Sequence, residues 1–295
     1  MYLIRELPVN FCISSFLCSF SQIILQKNRL TGFLFIVGIG VNSPLMLLGA
    51  SIAILSALVI AKILDYDADA INSGLYGFNA ALAGIATLFF LPVSLFSFSL
   101  VAFAGGLSSV IMHFIMHRHP KLPALTAPFV ISTWLVLLII ETFSLSVLAI
   151  SPIVTNSGEF HIVMRGIGQI MFQGYWLSGV FITVGLIIHS YKAAACVVIG
   201  SVGGMLIARS LNFSEDIIVM GLYGFNASLT AIGLSDRYVK NQWVMFIGIV
   251  LSVLFTWAFN QSEISGLTAP FVLAMWVIIF FVKGESNDVL EAPQS

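Results

Sequence analysis

The chain has 295 residues, of which 59% are hydrophobic and 8% charged, and its formal net charge is −1. Its mean hydropathy is +1.05. A water-soluble domain carries roughly a quarter charged residues, so this chain cannot cover a surface facing water and reads as an integral membrane protein in a lipid bilayer. The near-neutral balance offers nothing to a nucleic acid or an acidic partner.

A span needs ~20 apolar residues. In chain order such stretches fall at about 9–27, 31–49, 50–65, 92–117 and 125–150, then at about 160–175, 177–191, 193–210, 241–259 and 266–284. The first run is interrupted by Ser14, Ser15, Ser19, Ser21 and Gln22 and no small-residue cleavage site follows, which argues against a cleavable signal peptide. Breaks fall at Lys27-Asn28-Arg29, Asn42-Ser43-Pro44, Asp65 to Asp69, Arg118 to Pro123 and Ser151-Pro152 to Glu159. The polar tail, residues 286–295, reads as disordered. Cys12, Cys18 and Cys196 lie in apolar runs without C-x-x-C spacing and read as small core residues, not as a disulfide framework or a zinc site.

The chain writes two strings twice. Leu75-Tyr76-Gly77-Phe78-Asn79-Ala80 recurs as Leu222-Tyr223-Gly224-Phe225-Asn226-Ala227, and Leu125-Thr126-Ala127-Pro128-Phe129-Val130 recurs as Leu267-Thr268-Ala269-Pro270-Phe271-Val272. Order and separation are kept, so the duplicated unit is about half the chain, too long for a solenoid repeat. Residues 1–150 are read as a first transmembrane repeat and 151–285 as a second. The stretches at about 72–90 and 219–236 are apolar but short, each with a Gly near its start. A short, Gly-interrupted segment at matching places in two halves points to a transport site, so both read as re-entrant half-helices meeting near the bilayer midplane. The fold expected is all-α, with about five spans plus one re-entrant half-helix in each half. An odd number of spans turns the second half upside down. With the N-terminus inside, Arg5, Arg118, Lys121, Arg209, Arg237, Lys240 and Lys283 fall on the inner side and Lys27, Arg29, Lys62, Arg165 and Lys192 on the outer. That bias places both termini in the cytoplasm.

Superposing the halves pairs Gln22 with Gln169, Phe78 with Phe225, Asn79 with Asn226, Leu82 with Leu229, Thr126 with Thr268 and Trp134 with Trp276. A Gln deep in an apolar span must satisfy several hydrogen-bonding sites, and the duplication favours pore lining over helix-to-helix glue for Gln22 and Gln169. Thr126 and Thr268 precede Ala-Pro. A Pro inside a helix frees the carbonyl four residues back, here those of Ala124 and Gly266, which with the Thr hydroxyls would form a column of acceptors. A Pro that only starts the helix is the alternative. Phe78 and Phe225 would wall a narrow slot, and Asn79 and Asn226 brace the half-helices. His113 and His117, spaced i and i+4, invite a metal, but with His119 they sit at a polar span end without a counterpart in the second half. Glu141 lies in an apolar run, and its alignment partner is Lys283. No nucleophile–base constellation, phosphate loop or intramembrane charge pair is present, which speaks for a neutral solute and against an enzyme, a cofactor or a pump.

Leu122-Pro123-Ala124-Leu125-Thr126-Ala127-Pro128-Phe129 resembles the L-P-x-x-T-x-P-F signature of urea transporters; the second copy keeps Thr268-Ala269-Pro270-Phe271 without the leading Leu-Pro. The Leu-Tyr-Gly-Phe-Asn strings resemble that family's pore half-helices, and Arg165-Gly166-x-Gly168-Gln169 with Phe172-Gln173 resembles the opening of its second half. The resemblance covers nearly all of residues 10–285. It implies a homotrimer with one pore per protomer, passing urea down its gradient through a flat slot. By position it implies that Phe78, Leu82, Phe172, Phe225 and Leu229 wall the slot, that Gln22 and Gln169 contact urea near the mouths, and that Thr126 and Thr268 form the constriction. Leu25 stands opposite Phe172, where the family has an aromatic, and Cys18-Ser19-x-Ser21 stands where the second half has Arg165-Gly166-x-Gly168. The expected function is a urea channel of a bacterial inner membrane. A channel for another small neutral solute (ammonia, water or a short amide) and a proton-coupled transporter using Glu141 are the alternatives.

Overall fold

The computed structural model describes residues 9–120, 122–148, 158–262 and 264–282, which contain helices and no strand. The first half runs α1 (Val9–Ser21), a 3-10 turn (Gln22–Ile24), α2 (Arg29–Asn42), α3 (Pro44–Ile63), α4 (Ala68–Asn72), α5 (Phe78–Phe90), α6 (Leu95–Arg118) and α7 (Ala127–Thr142). The second half repeats that order: α8 (Glu159–Gly168), a 3-10 turn (Gln169–Met171), α9 (Trp176–His189), α10 (Tyr191–Ser210), α11 (Glu215–Val219), α12 (Gly224–Arg237), α13 (Trp243–Asn260) and α14 (Ala269–Phe281).

Local chemistry sets the boundaries and corrects several expected spans. The expected break at Asn42-Ser43-Pro44 separates α2 from α3, so the third span begins at Pro44 and not at 50. Ser43 accepts from Met46 N and Pro44 occupies the first helical turn, where its missing N–H costs nothing. Ser190 does the same for α10, accepting from Ala193 N. The run expected over 125–150 is helical only to Thr142, because Ser144 turns left-handed at φ 49°. Beyond it Leu148 N donates to the Phe90 carbonyl at 2.9 Å, tying that segment to the end of α5.

Among the described residues α3, α6, α10 and α13 are long and apolar enough to cross a membrane. The stretches expected as separate spans at 9–27 and 31–49 form a single pair bent by 75°, and the pair at 159–189 is bent by 77°. The stretches at 72–90 and 219–236 hold the half-length helices α5 and α12. Gly77, at the head of α5, faces Ile54 in the middle of α3, and Gly84 lies against Gly49 and Ala53 nearer the start of α3. Then α6 runs parallel to α3: Ser56 Oγ donates to the Ala102 carbonyl at 2.7 Å, and Tyr66 stacks on His113 at 3.7 Å. The path through α4 and α5 therefore passes from one end of α3 to the other, and the sharp bends fall at the α1–α2 and α8–α9 breaks instead. Glycines let these backbones meet closely; a side chain at Gly105 would strike the Ala53 backbone.

The halves are mutually inverted. The equivalent helices α2 and α9 pack antiparallel: Asn28 lies 3.2 Å from His189, Thr31 Oγ1 donates to the Gly185 carbonyl at 2.9 Å, and Asn42 Nδ2 donates to Gln173 Oε1 at 2.8 Å. Equivalent elements that meet antiparallel define a pseudo-two-fold axis, the relation of an inverted repeat. The arrangement also redistributes the expected charges. Lys62 and Arg118 share one end through the Tyr66–His113 stack. Lys27 and Arg29 share a surface pocket with Asn72 just beyond that end of α3. Lys192 pairs with Asp236 at 3.8 Å beside Arg237, next to the His189 end of α9. Lys27, Arg29, Lys62 and Lys192 thus lie on the side of Arg118, Arg237 and Lys240, whereas Arg209 lies at the other end, bound to Glu159 and Glu215 at 2.6 and 2.7 Å.

Candidate functional site

Two loops per half build the site. The first precedes the half-length helix and turns on Gly74 (φ 84°) or Gly221 (φ 79°), a conformation that costs glycine nothing. A side chain is excluded there for a second reason, since it would run into the Cys18 or Gly166 backbone. Gln22 and Gln169 hold these loops. Each opens its 3-10 turn half-buried and donates from Nε2 at 3.2 Å, to the Ser73 and Met220 carbonyls respectively. Both acceptors stand one residue before the left-handed glycine.

The second loop carries the threonine. In both halves Thr caps the helix and the Pro lies in its first turn, so Pro starts the helix and breaks no hydrogen bond within it. The Ala124 and Gly266 carbonyls, expected to be freed, accept from Ala127 N and Ala269 N at 3.0 and 2.9 Å. The preceding Leu125 and Leu267 are left-handed (φ 48° and 49°), and their carbonyls accept from Asn79 Nδ2 and Asn226 Nδ2, each at 3.2 Å. Asn79 also accepts from Phe129 N at 3.1 Å, whereas Asn226 Oδ1 is buried without a partner. The two threonines meet across the pseudo-axis: Thr126 Oγ1 and Thr268 Oγ1 are 2.7 Å apart and buried.

A cavity of about 540 Å³ leads to this pair. Gln169, Phe172, Phe225 and Thr268 line it together with Phe89, Phe90, Asn226 and Phe259, and none of its described lining residues is charged. Phe172 takes a left-handed conformation (φ 60°) at the end of its turn and packs on Phe89, Phe90 and Phe129 with ring centroids 5.1, 6.5 and 6.2 Å away. The cavity opens at the Arg209 end, where α5 and α13 finish. Phe78, Leu82, Leu229 and Thr126 are buried outside its lining, and the half-buried Gln22 also lies outside it.

A family model described as urea transporter matches residues 13–283. The chain belongs to the urea transporter family. It is 26% identical to urea transporter 1 of Ovis aries over 299 residues, covering 90% of this chain and 76% of that one. It is 28% identical to urea transporter 1 of Mus musculus over 260 residues, covering 80% and 66%. It is thus a multi-pass membrane protein of a transporter family.

Within this family member the other candidates fall outside the site. His113 stacks between Tyr66 and His117 (3.7 and 3.9 Å), and its Nδ1 lies 3.0 Å from Tyr76 Oη. No metal-ligating cluster occurs among the described residues. Glu141 is exposed near the end of α7, while Lys283 lies outside the described residues. Cys18 and Cys196 are buried and free; the Cys12 side chain lies outside the described residues. Sequence reasoning missed Phe89, Phe90 and Phe259, which have no repeated string to mark them. It also passed over Gly74 and Gly221, although each stands three residues before the glycine of the repeated string.

Proposed function

We propose that the chain is a passive channel for urea, its pore running between the inverted halves and narrowing at Thr126 and Thr268. The observation that carries this reading is the uncharged cavity that gathers Gln169, Phe172 and Phe225 and ends on the paired threonine hydroxyls. Urea is planar, neutral and rich in N–H donors. A line of acceptors, here the Thr hydroxyls, Asn226 Oδ1 and nearby backbone carbonyls, replaces bonds to water that would otherwise be lost. Apolar walls leave a hydrated ion with no compensation for its lost shell, and weak serial contacts let the solute leave.

The cluster of Lys and Arg at one end supports an orientation. By the excess of positive charge in cytoplasmic loops, the end with Lys62, Arg118, Lys192 and Lys240 faces the cytoplasm of a bacterial inner membrane. The chain leaves α14 at that end, so the C-terminus lies inside. The aromatic cavity is then the outer mouth. A homotrimer, as the family resemblance implies, completes the proposal.

Stopped-flow light scattering on proteoliposomes tests it. Urea should enter fast and at a rate that ignores an imposed proton gradient. Entry no faster than into empty liposomes would end the urea reading, and dependence on the gradient would end the passive one. One observation favours a second solute class. At the inner mouth Leu25 approaches Gly233 and Met275 where Phe172 meets three aromatic rings at the outer one, so formamide and acetamide belong in the same assay.

A further inference from the structure

Each loop that carries a constriction threonine is tied to the opposite half by an indole. Trp134 of α7 donates from Nε1 to the Ser265 carbonyl at 2.8 Å, and Trp276 of α14 donates to the Pro123 carbonyl at 3.0 Å. Ser265 and Pro123 each stand three residues before the threonine of their own loop, so the two bonds are mates about the pseudo-axis. An indole has a single N–H and no acceptor, and both rings are half-buried, Trp134 packing against Phe259 with centroids 6.4 Å apart. Each loop is thus pinned twice: by the Asn of its own half at Leu125 or Leu267, and by the Trp of the other half at Pro123 or Ser265.

The threonine bond cannot by itself fix the width of the passage, because a solute rich in donors and acceptors competes for those same hydroxyls as it passes. Whatever keeps the loops at a fixed spacing at that moment must lie outside the solute's path and must connect the halves. The Asn bonds stay within one half. The indole bonds cross.

We propose that Trp134 and Trp276 are positioning residues that set the separation of the two threonine loops and so exclude amides wider than the preferred solute. For the identity of that solute the proposal rests on the urea reading; for the strap itself it does not. The test deletes the donor and keeps an aromatic ring, with Trp134→Phe, Trp276→Phe and the double variant. In proteoliposomes the permeability ratio of urea to N-methylurea should fall, by about fivefold in each single variant, the worth of one ordinary hydrogen bond, and further in the double variant, while urea itself still enters. A purely structural role would lower both permeabilities together and leave the ratio unchanged. A second readout needs no solute. With Cys12, Cys18 and Cys196 replaced by alanine, Thr126→Cys and Thr268→Cys put thiols where hydroxyls stand 2.7 Å apart, close to disulfide reach. Copper–phenanthroline should cross-link them, as read by mass spectrometry of the joined peptides, about fivefold more slowly once one indole donor is gone and more slowly still without both. An unchanged ratio with an unchanged cross-linking rate overturns the strap. Wild-type liposomes that admit no urea overturn the urea reading instead, and the cross-linking rate still decides the strap.

Discussion

Thr126 and Thr268 are equivalent residues that bond to each other, and this gives their substitution an unusual signature. A valine at either position leaves one hydroxyl buried beside a methyl group. An unsatisfied buried polar group costs about 1–3 kcal/mol, whereas removing both partners together is close to neutral. The double valine variant should therefore unfold at a higher temperature than either single variant, while urea entry falls in all three because acceptors are lost from the narrowest point. Thermal unfolding in detergent, set beside flux, checks both halves of the statement; a double variant less stable than both singles would contradict the pairing. Gly74 and Gly221 give a different signature. A left-handed conformation costs an ordinary residue roughly 1–2 kcal/mol, and here the added Cβ also meets backbone. Gly74→Ala and Gly221→Ala should each reduce the yield of folded protein in fluorescence-detected gel filtration, more severely than Gly174→Ala, where the nearest atom is the Gln169 side chain at 3.7 Å.

At the scale of elements, α5 and α12 share length and starting motif but not their asparagine bonds. Asn79 donates to Leu125 O and Met112 Sδ and accepts from Phe129 N, whereas Asn226 reaches only Leu267 O and Thr256 Oγ1 with its oxygen unpaired. Asn79→Ala should destabilise the protein more than Asn226→Ala, by about 1 kcal/mol, the net worth of the additional bond. Equal losses of melting temperature would refute that ranking. The repeated strings made α5, α7, α12 and α14 legible as a related set, because a duplicated polar residue in an apolar run has few innocent explanations. What hydropathy could not supply was the path between them. The stretches 9–27 and 31–49 each read as apolar on average, and no hydropathy window marks a 75° bend whose cause is a left-handed Leu25 at the end of a 3-10 turn. Sidedness failed at another element: the stretch 72–90, counted as returning to the side it entered from, carries the chain through α4 and α5 from one end of α3 to the other. Leaving out that crossing puts Lys27, Arg29 and Lys62 on the wrong side of the membrane from Arg118. The aromatic wall around Phe172 was illegible too, since Phe89 and Phe90 align with Asp236 and Arg237 and only packing against Phe172 marks them out.

For the whole molecule, inversion predicts where reagents reach. Ser262 sits at the cavity end and Asn241 at the Lys-rich end, both exposed. A membrane-impermeant maleimide added outside intact cells should label Ser262→Cys and spare Asn241→Cys; the opposite pattern would reverse the orientation. The bond between Thr126 and Thr268 has a historical corollary as well. A contact between equivalent residues across a two-fold axis needs no second gene: a half-length chain inserted in both orientations would have made the same bond with its own copy. The contact of the threonine pair therefore asks for only one kind of half. In the present chain the two halves place their positive charges differently along their own length, while Thr126 and Thr268, Asn79 and Asn226, and Trp134 and Trp276 remain identical.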